Sequence, residues 1–384
     1  MSRWKPWHFG AMARRLPVCR EARAWAETHV ARRVEDTTSA RRHPSHAVPE
    51  TLHAVLDHPS RFLVRRRREW DLLKYSRLYT GEFYPVGAVF EFVVRDAWLH
   101  VPSGFVISPD REVLGFSSHA LPSLYEAHSP CPLEDAPWVE EPAFKVSTAW
   151  GNNYAHWLMD GLPKAVFAGA GPERLVVADR PSPRFQKESL ALLGLHRVLA
   201  PETELLRFRE LRFVSGGRSG VPHPQPLLRL RELLRAVAGP ATGPRRIYIS
   251  RQHERRRITN ESQVHAVLTS FGFEEVFSEE MDFAAQVRLF SGAEAIFGAH
   301  GAGTMNVLFA PPGAALIEAF NPRVWDHAAH RIASLCGVRH YHLFGENASK
   351  GFDMSVDPRV LEKTLALALD CPSQPRPLLI EEKY

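Results

Sequence analysis

The sequence predicts an α/β protein of two Rossmann-like halves facing a cleft, behind an Arg-rich N-terminal extension. Three observations predict it. From residue 153 onward, short β-rich runs alternate with helical stretches of about ten residues, the pattern of a parallel sheet covered on both faces. Gly239, Pro240, Gly243 and Pro244 punctuate that alternation and divide it in two. Two of the predicted strands run straight into loops rich in Gly, His and Arg, where an α/β sheet binds its ligand.

The elements follow in order. Residues 1–84 are irregular, and the run Arg65–Arg68 reads as a solvated helix face. Val86–Val94, Ala97–Val101 and Gly104–Ile107 are β-rich runs broken by Asp, Pro and Gly, a small meander. A helix over Asn153–Phe167, a strand at Leu175–Ala178, a helix over Phe185–Leu193 stopped by Gly194, and a strand at Leu211–Val214 come next. Pro222–Pro226 reads as a break before a helix at Leu227–Val237. These elements define an N-terminal Rossmann-like domain at 85–240.

In the second half, strands at Ile247–Ser250, Glu275–Phe277, Ala295–Phe297, Ala315–Glu318 and His340–Phe344 are separated by helices at Glu261–Ser270, Phe283–Leu289, Thr304–Phe309 and His327–Leu335. They define a C-terminal Rossmann-like domain at 241–350. Residues 351–384 form a tail that packs back.

Composition narrows the function. Among 384 residues, 45% are hydrophobic and 24% charged, which excludes wholesale disorder. The 30 Pro and 24 Gly are spread without period, which excludes a collagen-like chain. No apolar run reaches the roughly 18 residues of a membrane span. The net charge of +5 rests on Arg far more than Lys; most of that excess reads as composition, and a minority of the arginines as phosphate contacts. Nucleic-acid binding would require aromatic interleaving or a recognisable module, and neither is present. Cys19, Cys131, Cys336 and Cys371 lie far apart, which speaks against a disulfide framework or zinc site and for a reducing cytosol. The N-terminus has no apolar core of signal-peptide length, so a cytoplasmic protein is expected. Trp4, Trp7 and Phe9 among basic residues offer peripheral contact with the inner membrane, or a packed terminus.

Three constellations carry chemistry. The first is the run from Ala295 to Asn306, in which a strand enters GAHGAG and a helix starts at once. Gly301 and Gly303 allow close backbone approach, the helix start offers unpaired N–H groups around Ala302, and His300 adds a donor. That is a pyrophosphate cradle, or else a tight strand–helix turn. Glu318, at the end of the next strand, is placed to accept from ribose hydroxyls or to be a solvated charge, and Asn306 to contact ligand or flank the helix. The second is the run from Tyr248 to Ile258, which throws Arg251 into the loop at a strand's carboxyl end, followed by Arg255, Arg256 and Arg257. The third is the run from Asn152 to Pro163. His156 and Asp160 stand four apart on one helix face, a candidate general base with an orienting carboxylate, or a structural pair. Asp-x-Asp, which many metal-dependent sugar transferases use, is absent, as is a Gly-x-Ser-x-Gly elbow.

Together and in this order, HWLMDGLP at His156–Pro163, RRIYISR at Arg245–Arg251, FGFEEVFSEEMDFAAQVRLF at Phe271–Phe290, GAHGAG at Gly298–Gly303 and LFAPPGAALIE at Leu308–Glu318 resemble glycosyltransferase family 61. The resemblance covers about residues 85–345. It implies a two-domain GT-B fold, a nucleotide-sugar donor, inversion at the anomeric carbon and no required metal or other cofactor. It also implies a saccharide or glycolipid acceptor, with bacterial relatives tied to surface polysaccharide synthesis. Gly-Thr-Met after HGA departs from the Gly-Leu-Thr of many relatives. On this reading a UDP-linked donor is held by Arg251, His300, Gly301, Ala302, Gly303, Asn306 and Glu318, and His156 or Asp160 is the base. The alternative is a protein of the same fold that binds a nucleotide sugar without catalysis.

Overall fold

A computed structural model describes residues 89–118, 132–169, 173–179, 182–215 and 220–370, with strand backbone at 18–19, 31–35, 39–41, 45–47 and 83–85. The expectations for Trp4, Trp7, Phe9 and Arg65–Arg68 lie outside the described residues. So do Cys131 and Cys371. The chain divides into two units, one of residues 1–36 and 87–220, the other of 37–86 and 221–384.

This division moves two expected boundaries. Residues 1–84 are not set apart as one extension: Val18–Cys19 and Ala31–Glu35 join the sheet of the first unit, and Ser45–Ala47 joins that of the second. The helix expected to close the N-terminal domain belongs to the second unit. Pro222–Pro226 does not break the chain there, because Pro224 opens the Pro224–Ala238 helix at a position whose N–H has no intrahelical partner anyway. Leu227, Leu230 and Leu234 are fully buried, and the helix packs on the Phe283–Ser291 and Ala302–Phe309 helices.

In the first unit, Leu205–Val214 is the central strand. It runs antiparallel to the long Val89–His100 strand and parallel to Ala143–Lys145, beyond which lie Leu175–Val177 and Val198–Leu199, also parallel. The meander and the parallel half are therefore one sheet. Val89–His100 is continuous where two strands were expected, because Asp96 takes a left-handed conformation (φ 54°) and the ladder resumes beyond it. Phe92, Phe116 and Phe213 stack in its core.

In the six-stranded sheet of the second unit every strand is parallel, in the spatial order Glu274–Val276, Arg246–Ile249, Ala295–Ala299, Ala315–Phe320, Arg339–Phe344 and Ser45–Ala47. Tyr248, Phe297, Ile317 and Tyr341 point to one face, under the Glu261–Ser270 and Pro358–Asp370 helices. Alternate residues point to the other face, where the 302–309 and 328–336 helices pack. Strands buried on both faces read as apolar runs. The strand order reverses between Arg246–Ile249 and Ala295–Ala299. In a doubly wound sheet the ligand crevice opens at the carboxyl ends of such a neighbouring pair.

Candidate active site

Arg251 and the GAHGAG loop leave the sheet at that switch point. Gly301 marks the start of the eight-residue 3-10 helix Ala302–Phe309 and carries no side-chain cap. A Cβ on Gly301 would collide with the Arg251 guanidinium, 2.8 Å from Cζ, so glycine here makes room for the arginine. A Cβ on Gly303 would sit 3.0 Å from Ile249 Cγ2 and 3.3 Å from Ser278 Oγ, so this glycine lets the helix settle on the sheet. Both glycines thus have a packing role within the protein. Arg251 Nε donates to the Arg255 carbonyl at 2.9 Å, which turns the loop back on itself. Burial and the neighbouring Arg256 lower the Arg251 pKa against the pull of Glu254 and Glu279.

His300 and Glu318 correct the sequence reading. The strand runs on to Phe320, so Glu318 lies within it, fully buried, and is neither a strand end nor a solvated charge. Glu318 Oε1 accepts from Thr304 Oγ1 at 2.8 Å and from His300 Nδ1 at 3.2 Å; Oε2 accepts from His340 Nε2 at 2.9 Å. His300 Nε2 donates to Asp326 Oδ2 at 3.2 Å. A histidine with a carboxylate on each nitrogen is an imidazolium. Burial alone would lower its pKa, but the hydrogen bonds to Asp326 and Glu318 prevail and push it up to about 9. Burial likewise opposes Glu318, yet His300 and His340 hold it down at about 2. Both His300 nitrogens meet carboxylates, the buried Glu318 and the exposed Asp326, so its charge is matched within the protein. The cation at the switch point is Arg251. Asn306 is fully buried and donates to Gln286 Oε1 at 2.9 Å, tying the 3-10 helix to the Phe283–Ser291 helix.

The third constellation lies in the first unit. Its helix is not a regular α-helix: Tyr154–His156 is α-helical, Trp157–Gly161 a π turn, and Leu162–Phe167 a 3-10 turn. Pro163 supplies the reason, since it has no N–H to give the carbonyl of Met159 and its ring crowds that turn. Such turns recur at functional sites. The buried Trp157 donates to Ser189 Oγ at 2.9 Å, and Gly161 leaves space for the indole, which a Cβ would meet at 2.6 Å. This anchor presents His156 Nδ1 to Asp160 Oδ2 at 2.9 Å. Asp160 is buried, with the Gly220 N–H at 3.3 Å from Oδ1 and 3.4 Å from Oδ2, whereas His156 is 31% exposed. With Nδ1–H directed at the carboxylate, the imidazole lone pair falls on Nε2, the arrangement of an oriented general base.

Three charged side chains around this pair escaped the sequence reading. Lys145 is fully buried and donates to the carbonyls of Ser117 and Ser147, each at 2.9 Å. Asp179 accepts from Thr148 N–H and from Gln186 Nε2, each at 2.8 Å. Lys164 lies one turn beyond Asp160, and its buried ammonium has no hydrogen-bond partner among the described residues. Two signals were legible: Lys164 continues the spacing of four set by His156 and Asp160, and Lys145 and Asp179 interrupt or end apolar strand runs. In the second unit, Thr304, His340 and Asp326 were likewise missed.

Among the described residues, no group of three His, Cys, Asp or Glu side chains is placed to hold a metal ion, and no helix is long and apolar enough to cross a membrane.

Comparison with known proteins closes this picture. Residues 154–317 match the family model of glycosyltransferase 61, from two residues before His156 to one before Glu318. No curated protein matches the chain. Among solved structures, a mutant flavo di-iron protein from Thermotoga maritima aligns over 48% of this chain and 46% of its own at 13% identity, with a TM-score of 0.26. The chain thus spans less than half of that structure, and the likeness carries no argument.

Proposed function

We propose, from the match of residues 154–317 to the family model of glycosyltransferase 61, that this chain is a glycosyltransferase that transfers a sugar from a UDP-linked donor to a saccharide or glycolipid acceptor, with inversion at the anomeric carbon and no required metal ion. The two units are read as the halves of a GT-B enzyme, the second holding the donor and the first activating the acceptor. The observation that carries this reading is the Arg251 guanidinium set against the start of the Ala302–Phe309 helix, at the switch point of a parallel sheet. A fixed guanidinium and the N–H groups of a helix start are the donor set that a diphosphate asks for. His300, Thr304 and Glu318 then shape the loop, and Gly301, Ala302 and Gly303 present its backbone.

In the proposed step the acceptor oxygen forms a bond to the anomeric carbon as the bond from that carbon to the diphosphate breaks. The electron pair leaves with the diphosphate, where Arg251 and the helix start stabilise the charge. The acceptor proton passes to His156 Nε2, with Asp160 holding the ring. Bacterial surface polysaccharide synthesis on the cytoplasmic side of the membrane is the setting that the motifs favour.

A thermal-shift screen against UDP, GDP, CMP, TDP and ADP, each with and without EDTA, tests this reading. Stabilisation by UDP that EDTA leaves untouched is the expected result. No shift with any nucleotide would overturn the diphosphate site. Stabilisation without sugar transfer to any acceptor would make the chain a binding protein of this fold.

A further inference from the structure

Lys164 has no role in the mechanism above, yet it sits where an idle lysine is costly. It is 5% exposed, and Nζ has no hydrogen-bond partner among the described residues. A buried ammonium without partners is destabilising, and an apolar side chain of similar size would relieve the cost. Its surroundings are specific. Asp160 on the π turn and Asp179 beyond the Leu175–Val177 strand both act on it electrostatically, and Lys145 lies near enough to repel it and to act on Asp179 ahead of Lys164. Of the other packed elements, the Arg184–Leu192 helix contributes Gln186, whose amide is on Asp179. The Leu205–Val214 strand contributes the face of Leu211 and Phe213, while Arg212 alternates to the opposite face and bonds Glu210.

The two carboxylates do separate jobs. Asp160 orients His156. Asp179 holds the 148–153 loop that leads into the His156 helix: it binds Thr148 N–H directly, and Gln186 bridges it to the Gly151 carbonyl at 2.8 Å. A Cβ on Gly151 would run into the Asp179 carboxylate, so the loop and the carboxylate are fitted to each other.

We propose that Lys164 is a positioning residue whose ammonium is the shared counter-charge of Asp160 and Asp179, and that it thereby fixes both the imidazole of His156 and the loop ahead of its helix. The catalytic part of this inference rests on the His156–Asp160 base reading. Burial, opposed by Asp160 and Asp179, brings the Lys164 pKa down to about 8, while burial pushes Asp179 up to about 6. Between those values Lys164 holds its proton and Asp179 has lost its own.

The test pairs Lys164→Met, which keeps the bulk and removes the charge, with Lys164→Arg, which keeps the charge. Melting temperature is read from pH 5 to pH 8, independently of catalysis. Without the cation, Asp179 is pushed further up, so the stability that a raised carboxylate loses with rising pH goes on being lost beyond pH 6. The Lys164→Met minus wild-type difference should therefore fall by about 2–4 °C between pH 6 and pH 8, whereas Lys164→Arg should track wild type. A difference flat with pH overturns the counter-charge role. The pH–rate profile of sugar transfer is the second readout. The acid limb of kcat should move up by on the order of one pH unit in Lys164→Met and stay in place in Lys164→Arg. A rate loss uniform across pH would reduce Lys164 to packing. His156→Ala in the same assay isolates the base reading: wild-type turnover there defeats the base while the melting series still decides the counter-charge.

Discussion

Each unit buries a cluster of charges, and the two clusters are built on opposite terms. In the second unit His300, Glu318, His340, Thr304 and Asp326 are joined by bonds of 2.8–3.2 Å, and the shifts deepen ionisation, with Glu318 held down at about 2 and His300 up at about 9. In the first, Lys164 reaches no partner among the described residues, and the shifts run towards neutrality, with Asp179 up at about 6 and Lys164 down at about 8. A saturated cluster holds a loop in one geometry. An unsaturated one keeps charge and proton affinity near the operating pH, at a cost in stability that function repays. On the proposed function, the saturated cluster is scaffold for the phosphate site and the unsaturated one surrounds the base.

The comparison can be broken most directly at the base. His156→Ala should lower kcat by on the order of 10²–10⁴ while the melting temperature changes far less, because the ring is 31% exposed, measured by initial rates and thermal unfolding side by side. Glu318→Ala should do the reverse: stranding two histidines and a threonine should cost about 3–5 kcal/mol of stability by denaturant titration. A Glu318 variant of wild-type stability would make that carboxylate a ligand after all. Arg251→Ala should weaken UDP binding by about 10–100-fold in calorimetry, the range for hydrogen bonds to charged groups, with the melting temperature of the free protein nearly unchanged.

The pH dependence sharpens the contrast. His300 has a raised pKa, so its stabilisation is full below its ordinary 6.5 and is lost as pH rises through about 9. Glu318 has a lowered pKa, so its contribution is full above 4.5 and is lost as pH falls through about 2. The stability gap between wild type and Glu318→Gln should be widest between pH 4.5 and 6.5. The smallest effect is expected from Asn306→Ala, about 1–3 kcal/mol for taking the Asn306 amide from Gln286 Oε1, with UDP affinity unaltered in calorimetry.

Much of this was legible in the sequence, and for identifiable reasons. The parallel sheet of the second unit is written in apolar runs such as Ala315–Phe320, because strands buried on both faces need no polar alternation. The spacing of His156 and Asp160 foretold their contact, even through a π turn that Pro163 imposes. Arg251 and Gly301 were each singled out, and their mutual contact was not, because it depends on which strands are neighbours. Glu318 looked like a strand end because a charge seldom lies inside a buried strand. Its burial is tolerable only beside His300 and His340, which come from other elements. Pro224 looked like a break because a proline in the first helical turn and one in a loop are the same letter.

Local chemistry is thus what the sequence settled by itself: strand runs, helix starts, the spacing of four, the strand-end arginine and the match of residues 154–317 to the glycosyltransferase 61 model. Which charges are matched and which are left waiting was decided by tertiary structure alone. Matching depends on distances of about 3 Å between side chains that the fold gathers from separate strands and helices, and no local pattern encodes them.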